Sequence, residues 1–284
     1  MSSGYRPELD QTPKLDPDKA NWYQSGIGAL RWAIEIGRIE ITEEVSLLSS
    51  QMAAPREGHL VALLRIFSYL KKKHNSRIAF DPTYPSIDMS NFPANDWKRF
   101  YGDVEEVIPP NAPEPRGLPV VIRIYVDADH AGEQLTRRSR TGYVMFLNSA
   151  PVNWYSKKQG GIEGASFGSE FMAMKTACEV NRGFRYKLRM MGVPIDGPTY
   201  MYGDNMSVLH NTQKPESTLK KKSNSIAYHF VRECVARGEV LTGYVNTKSN
   251  YADLMTKTLP SGDLRTNLVG GLMWDIYPAS TPVE

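Results

Sequence analysis

The 284-residue chain carries 34 Lys and Arg against 31 Asp and Glu, with 41% hydrophobic and 23% charged residues. This balance excludes a disordered chain, which would lack the apolar surface needed to offset the entropy of ordering, and no apolar run nears the roughly 20 residues of a transmembrane helix. Cys178 and Cys234 are the only cysteines and neither has a His or Cys at zinc-ligand spacing, which excludes a disulfide framework and a metal finger and makes both small buried side chains.

Residues 1–20, rich in Pro, Asp and Lys and without the apolar core of a signal peptide, predict a flexible lead on an intracellular protein, cytoplasmic or nuclear and not secreted. Residues 21–80 predict helices. In "APREGHLVALLRIFSYLKKKH", Leu60, Leu63, Leu64, Phe67 and Leu70 recur at i, i+3, i+4, i+7 and i+10 after Pro55, the period of an amphipathic helix. "NWYQSGIGALRWAIEI" and "TEEVSLLSSQM" predict two shorter helices packed on it. Residues 81–118 repeat Pro, Asn, Asp and Gly without a sustained period, and predict an irregular linker with a domain boundary near residue 116.

From residue 119 the pattern turns to strands. "PVVIRIYVDAD" is a β-branched run, and "RTGYVMFLNSAPVNWYSKKQ" predicts two strands about a turn at Asn148 to Pro151. A long helix over roughly 166–191 follows, then a strand "TYMYGD", a short helix "NMSVLHN", a helix "SNSIAYHFVRECVARG", a strand "EVLTGYVNT" and a last helix "NYADLMTKTL". Three antiparallel strands and then helices alternating with two more strands make an α/β domain over 119–261 on a mixed five-stranded sheet, with 262–284 as a tail. Lys and Arg outnumber acids 19 to 12 over 119–261, against 14 to 16 before it and 1 to 3 after it, so the second domain is the one suited to a polyanionic partner.

Four carboxylates stand at the ends of these elements. Strand alternation puts Asp127 on one face with Arg123 and Tyr125, opposite Ile122, Ile124 and Val126, and makes it the end of the polar face, whereas Asp129 is expected to begin a turn. At about 100° per residue, Phe167, Phe171, Met174 and Cys178 form an apolar stripe with Glu170 at its border. Each acid also has a bland account: a lone Glu at a stripe border reaches solvent, Asp204 after "TYMYG" caps a helix, and Asp253 in a first turn complements the helix dipole. Together they follow an order that a five-stranded mixed sheet can gather, and gathered carboxylates repel unless cations hold them. Hard oxygen ligands select Mg²⁺ or Mn²⁺.

From "YVDADHAG" through "RSRTGYVMFLNSAPVNWYSKKQ", "SEFMAMKTACEV", "YGDNMSVLHN", "IAYHFVRECVARGEVLTGYV" and "NYADLMTKTL", residues 119–261 resemble the ribonuclease H domain of copia-type LTR retrotransposon Pol polyproteins. Residues 22–80 are similar to the helical end of the reverse transcriptase that precedes it. The resemblance implies a ribonuclease H-like fold, hydrolysis of the RNA strand of RNA/DNA hybrids, and a catalytic, metal-binding set of Asp127, Glu170, Asp204 and Asp253 around two Mg²⁺ or Mn²⁺ ions. It implies that Asp127 bridges both ions, that Asp253 helps hold the ion of the nucleophile, and that Glu170 and Asp204 serve the other. The helix motif departs from the family: where a Ser-Thr-Glu-Ala-Glu-Tyr type string is usual, this chain has "SFGSEF", with Gly168 at the first Glu position and Glu170 at the second. The loop "YVNTKSNYAD" lacks the His found there in many cellular ribonucleases H, which reads as a family trait. No Asp-Asp pair occurs, so the polymerase palm motif is missing and no polymerase activity is expected.

Candidate contacts to a hybrid backbone are Arg137, Arg138 and Arg140 after the first strand and Lys157, Lys158 and Gln159 after the third, although basic residues at strand ends are also ordinary solvated charges. Asn205 suits either a ribose hydroxyl or a helix cap. The run Lys220 to Lys222 resembles the family's basic stretch, and His130, His210 and His229 are expected to be structural or solvent-facing. The resemblance implies other Pol domains, reverse transcriptase and integrase, as partners, and no membrane. The alternative is a catalytically idle fragment that binds hybrid or duplex without cutting it. A DNA strand-transferase of similar fold matches less well, since such enzymes usually rely on three acids.

Overall fold

The computed structural model describes residues 5–219 and 222–275. Helix α1 (Pro17–Glu35) begins at Asp16, whose carboxylate accepts the Lys19 amide at 2.9 Å, with Pro17 at the first position, where no N–H is needed. With α2 (Thr42–Ser49) and α3 (Glu57–Lys72) it encloses Tyr23, Ile27, Leu30, Val45, Leu48, Leu63 and Ile66. The amphipathic period of α3 holds, but its inner face is turned: His59, Ala62, Leu63 and Ile66 are buried and Leu64 is 46% exposed. His59 fixes this rotation, its Nδ1 accepting the Arg56 amide at 3.0 Å and its Nε2 facing the Pro7 carbonyl at 2.8 Å.

The lead, expected to be flexible, instead makes specific contacts from Tyr5 onward. A 3-10 turn at Pro7–Leu9 docks on His59, the Leu15 amide reaches the Pro55 carbonyl at 3.0 Å, and Arg6 donates to the Gly132 carbonyl at 3.1 Å. After β1 (Ser76–Arg77), residues 81–118 are irregular apart from a 3-10 turn at Met89–Asn91 and α4 (Lys98–Tyr101). They are nonetheless anchored. Phe92 is buried edge-on against Tyr200 and Tyr202, Trp97 lies under the Arg232 guanidinium, and Glu106 bridges Arg185 and Arg189 at 2.6 Å each.

Strands β2 (Ile122–Asp129), β3 (Arg140–Leu147) and β4 (Ala150–Lys158) form an antiparallel meander, with Asn148 in the left-handed conformation that Asn tolerates in a tight turn. Then come α5 (Ser166–Met190), β5 (Thr199–Gly203), α6 (Met206–Gln213), α7 (Ser225–Ala236) and β6 (Val240–Tyr244). The sheet order is β4-β3-β2-β5-β6, with β5 parallel to β2 and β6 parallel to β5. This is the mixed five-stranded sheet that the sequence implies. The last predicted helix is shorter than expected: α8 (Asp253–Thr256) is a single turn, and the backbone is already extended at Lys257. Within the expected tail, α9 (Asp263–Gly270) leads to β7 (Trp274–Asp275), which pairs antiparallel with β1.

One sheet face buries Ile122, Ile124 and Val126 under Phe171, Ala177 and Cys178 of α5 and Val231 and Cys234 of α7. Both cysteines are free and buried, as expected. The opposite face, expected to be polar, is covered as well. Tyr125, Val144, Phe146 and Tyr202 pack there against Phe92, Leu254, Met255, Leu268 and Leu272, because the linker and the C-terminal segment fold back over it. Among the described residues no helix is long and apolar enough to cross a membrane.

Candidate metal centre

β2 and β5 run parallel as neighbours with Tyr125 level with Tyr202, so Asp127 and Asp204 come level at the carboxyl ends of the two strands. That is where open α/β sheets bind ligands. The first turns of α5 pass the same place, tied down by Gln159, which donates to the Ser169 carbonyl at 2.9 Å and to Thr141 Oγ1 at 3.0 Å. Carboxylate oxygens of Asp127, Glu170 and Asp204 thereby lie within 4.8 Å of one another. A side chain at position 168 would run into Glu163 and Asn224 instead. Glu170, about 200° further round the helix, is the acid of "SFGSEF" that reaches the other two.

Asp253 opens α8, 2% exposed, and stands outside that trio. It joins through Lys257, whose Nζ lies 2.7 Å from Asp253 Oδ1 and 3.3 Å from Asp127 Oδ2. The Thr256 hydroxyl also donates to Asp127. α8 is held over the sheet by Asn250, which donates to the Val126 carbonyl at 3.1 Å and accepts the Ala252 amide at 3.2 Å. Gly142 opposite Asp127 makes room, since a Cβ there would come within 2.6 Å of Met255. Asn250, Thr256 and Lys257 escaped the sequence reading as site residues. The signal for Lys257 was its i+4 spacing from Asp253, the favourable orientation for an acid and a lysine on one helix.

Asp129 corrects the expected strand end. β2 continues through it, paired with Arg140, so it shares the face of Asp127 rather than beginning a turn. It lines a neighbouring cavity of about 180 Å³ with Arg6, Glu43, Arg140, Lys158 and Lys257.

The electrostatics follow from burial and crowding. Burial raises the Asp127 carboxyl above its usual range, with Lys257 and Thr256 opposing and Asp204 adding to the rise. Glu170 is pushed up to about 9, by burial first and then by Asp127 and Asp204. Asp253 is raised to about 6, by burial and Asp127 against the pull of Lys257. Lys257 moves upward, burial being outweighed by Asp127 and Asp253. Such a site holds protons or takes up cations, because like charges at this range cannot all ionise uncompensated. Its all-carboxylate donor set fits a hard divalent ion such as Mg²⁺ or Mn²⁺.

The expected nucleic-acid contacts divide. Arg137 and Lys157 are exposed, Arg138 is half-buried, and Lys158 is paired with Glu133 at 3.5 Å. Arg140 is a correction: it is buried and donates to Ser46 Oγ at 2.7 Å and Ser156 Oγ at 3.1 Å, joining the helical layer to the sheet. Gln159 is likewise committed to Thr141 and Ser169. Asn205 caps α6, its Oδ1 accepting the Ser207 and Val208 amides at 3.1 and 3.3 Å. Lys220 and Lys221 lie outside the described residues, and Lys222 opens a 3-10 turn at Lys222–Asn224. His130 contacts Ser169 and His229 contacts Tyr101.

No family model matches the chain. It is 27% identical over 248 residues to the retrovirus-related Pol polyprotein from transposon RE1 of Arabidopsis thaliana, covering 87% of this chain and 14% of that polyprotein. With the corresponding polyprotein from transposon RE2 of the same plant it shares 24% over 259 residues, 91% of this chain and 15% of the other. These two relatives are Pol polyproteins of copia-type transposons. This chain spans about one seventh of the length of these Pol relatives. Among solved structures, LC11-RNase H1 in complex with RNA/DNA hybrid is 16% identical at a TM-score of 0.39, over 48% of this chain and 93% of that one.

Proposed function

We propose that this chain is the ribonuclease H part of a transposon Pol polyprotein and hydrolyses the RNA strand of RNA/DNA hybrids with the help of a divalent metal. The observation that carries the reading is the convergence of Asp127, Glu170 and Asp204 at the carboxyl ends of β2 and β5 beside α5. In this reading residues 119–261 hold the catalytic unit, and the helices of residues 21–80 are the end of the reverse transcriptase, docked on it.

Asp127, Glu170 and Asp204 would hold Mg²⁺ or Mn²⁺, which when bound activates water and stabilises the charge of the leaving oxygen. Asp127 is the fixed point of the set. Its oxygens are held by Thr256 and Lys257, so it cannot swing away from the strand end. Burial beside Asp127 and Asp204 favours the protonated form of Glu170, and binding of a cation would displace that proton to water, as carboxylate ligands must be deprotonated. Asp253 keeps Lys257 turned toward the acids. A hybrid would be recognised by its A-form-like shape and 2′-hydroxyls rather than by base sequence. Arg137 and Lys157, which are exposed, are the better candidates for phosphate contacts.

The test incubates the full chain with a labelled hybrid and Mg²⁺ or Mn²⁺. The RNA strand alone should be cut, chelation should stop the reaction, and Asp204→Asn should abolish it. Salt-sensitive binding of hybrid or duplex with no cutting would favour the idle binding fragment instead.

A further inference from the structure

The four acids are not evenly served by cations. Asp127, Glu170 and Asp204 face one another within 4.8 Å, while the space between Asp127 and Asp253 is spanned by the Lys257 ammonium. Its Nζ lies 2.7 Å from Asp253 Oδ1, 3.3 Å from Asp127 Oδ2 and 3.4 Å from Asp127 Oδ1, and both acids are almost completely buried. Its approach is prepared by its neighbours. Asn250 pins the start of α8 to the Val126 carbonyl, Thr256 bonds Asp127, and the missing Cβ of Gly142 lets Met255 and Thr256 settle onto β3. A lysine carries a compact point charge with three N–H donors, so it can meet two carboxylates at once.

We propose that Lys257 is the resident cation of the Asp127–Asp253 half of the site, so that the chain takes one divalent ion, on Asp127, Glu170 and Asp204, rather than two. The inference rests on the reading of these acids as a metal centre. In place of a second ion the ammonium supplies a fixed positive charge beside Asp127 that does not exchange with solvent. Asp253 then acts through Lys257 as a positioning residue instead of ligating metal.

The experiment counts Mn²⁺ bound to the full chain at saturation by electron paramagnetic resonance, without nucleic acid, on the wild type, Lys257→Met and Asp253→Asn. One ion is expected for the wild type and for Asp253→Asn, and two for Lys257→Met, whose fold is checked by circular dichroism. If Lys257→Met does not fold, the comparison of wild type with Asp253→Asn still decides. Two ions on the wild type falling to one in Asp253→Asn would overturn the proposal while leaving the metal centre intact, as would one ion on a folded Lys257→Met. No ion on the wild type would overturn both the proposal and the metal-dependent function.

Discussion

Asp127 is only 1% exposed, so the neighbours that touch it set its charge. Its relation to Asp129, two residues on and on the same strand face, separates two roles that the sequence leaves close together. Asp127 belongs to the trio with Glu170 and Asp204, and Asp129 to the adjoining cavity with Arg6 and Arg140. Initial rates of hybrid cleavage should therefore fall to background in Asp127→Asn and only partly in Asp129→Asn; the reverse ranking would move the centre to Asp129. Glu43 offers a stability test away from the trio. Burial, with Glu44 adding to it, raises its pKa from 4.5 to about 8, so the folded protein binds that proton more tightly than the unfolded chain. Linkage then makes the native state lose stability as pH rises from 4.5 to about 8. In melts across that range Glu43→Gln should gain on the wild type with rising pH, level off above pH 8, and show no gain below 4.5. A gap independent of pH would mean that Glu43 is ionised in the fold.

At the scale of elements, the site depends on how closely α8 lies on β3. Gly142 sits opposite Asp127, and any side chain there meets Met255 and Thr256. Gly142→Ala should cost about 1–3 kcal/mol of overpacking in urea unfolding and should also lower cleavage, because the displaced turn carries Thr256 and Lys257. Unchanged cleavage in a destabilised variant would detach α8 from the chemistry. Much of this level was legible in the sequence. β-branched alternation marks β2 as far as Asp127, and the apolar stripe of α5 puts Glu170 at its border, beside the sheet. Alternation tells which residues share a face but not what covers it. Tyr125 therefore reads as polar-facing until Phe92 and Leu254, far away in the chain, are seen to close over it. The same limit hid Arg140, an ordinary strand-end base in sequence, whose partner Ser46 lies 94 residues earlier.

Over the whole molecule, the helical layer, the linker and the C-terminal segment are wrapped around the sheet rather than strung beside it. Ser46 donates to the Ser156 carbonyl at 3.0 Å, Glu106 bridges Arg185 and Arg189, and β7 returns to pair with β1. Composition could mark residues 81–118 as irregular and residues 1–20 as polar, but not their anchoring, which rests on single side chains such as Phe92 and His59 meeting distant backbone and rings. The wrapping leaves Asp127, Glu170 and Asp204 gathered at the carboxyl ends of β2 and β5, and the account stands or falls on what that place does. The direct measurement is a time course on RNA/DNA hybrids labelled on either strand, with Mg²⁺ or Mn²⁺, using the full chain and its Asp127→Asn variant. The account predicts fragments from the RNA strand only, with the wild type only. An RNA strand that stays intact while the hybrid is bound, or cutting that survives in Asp127→Asn, would contradict it.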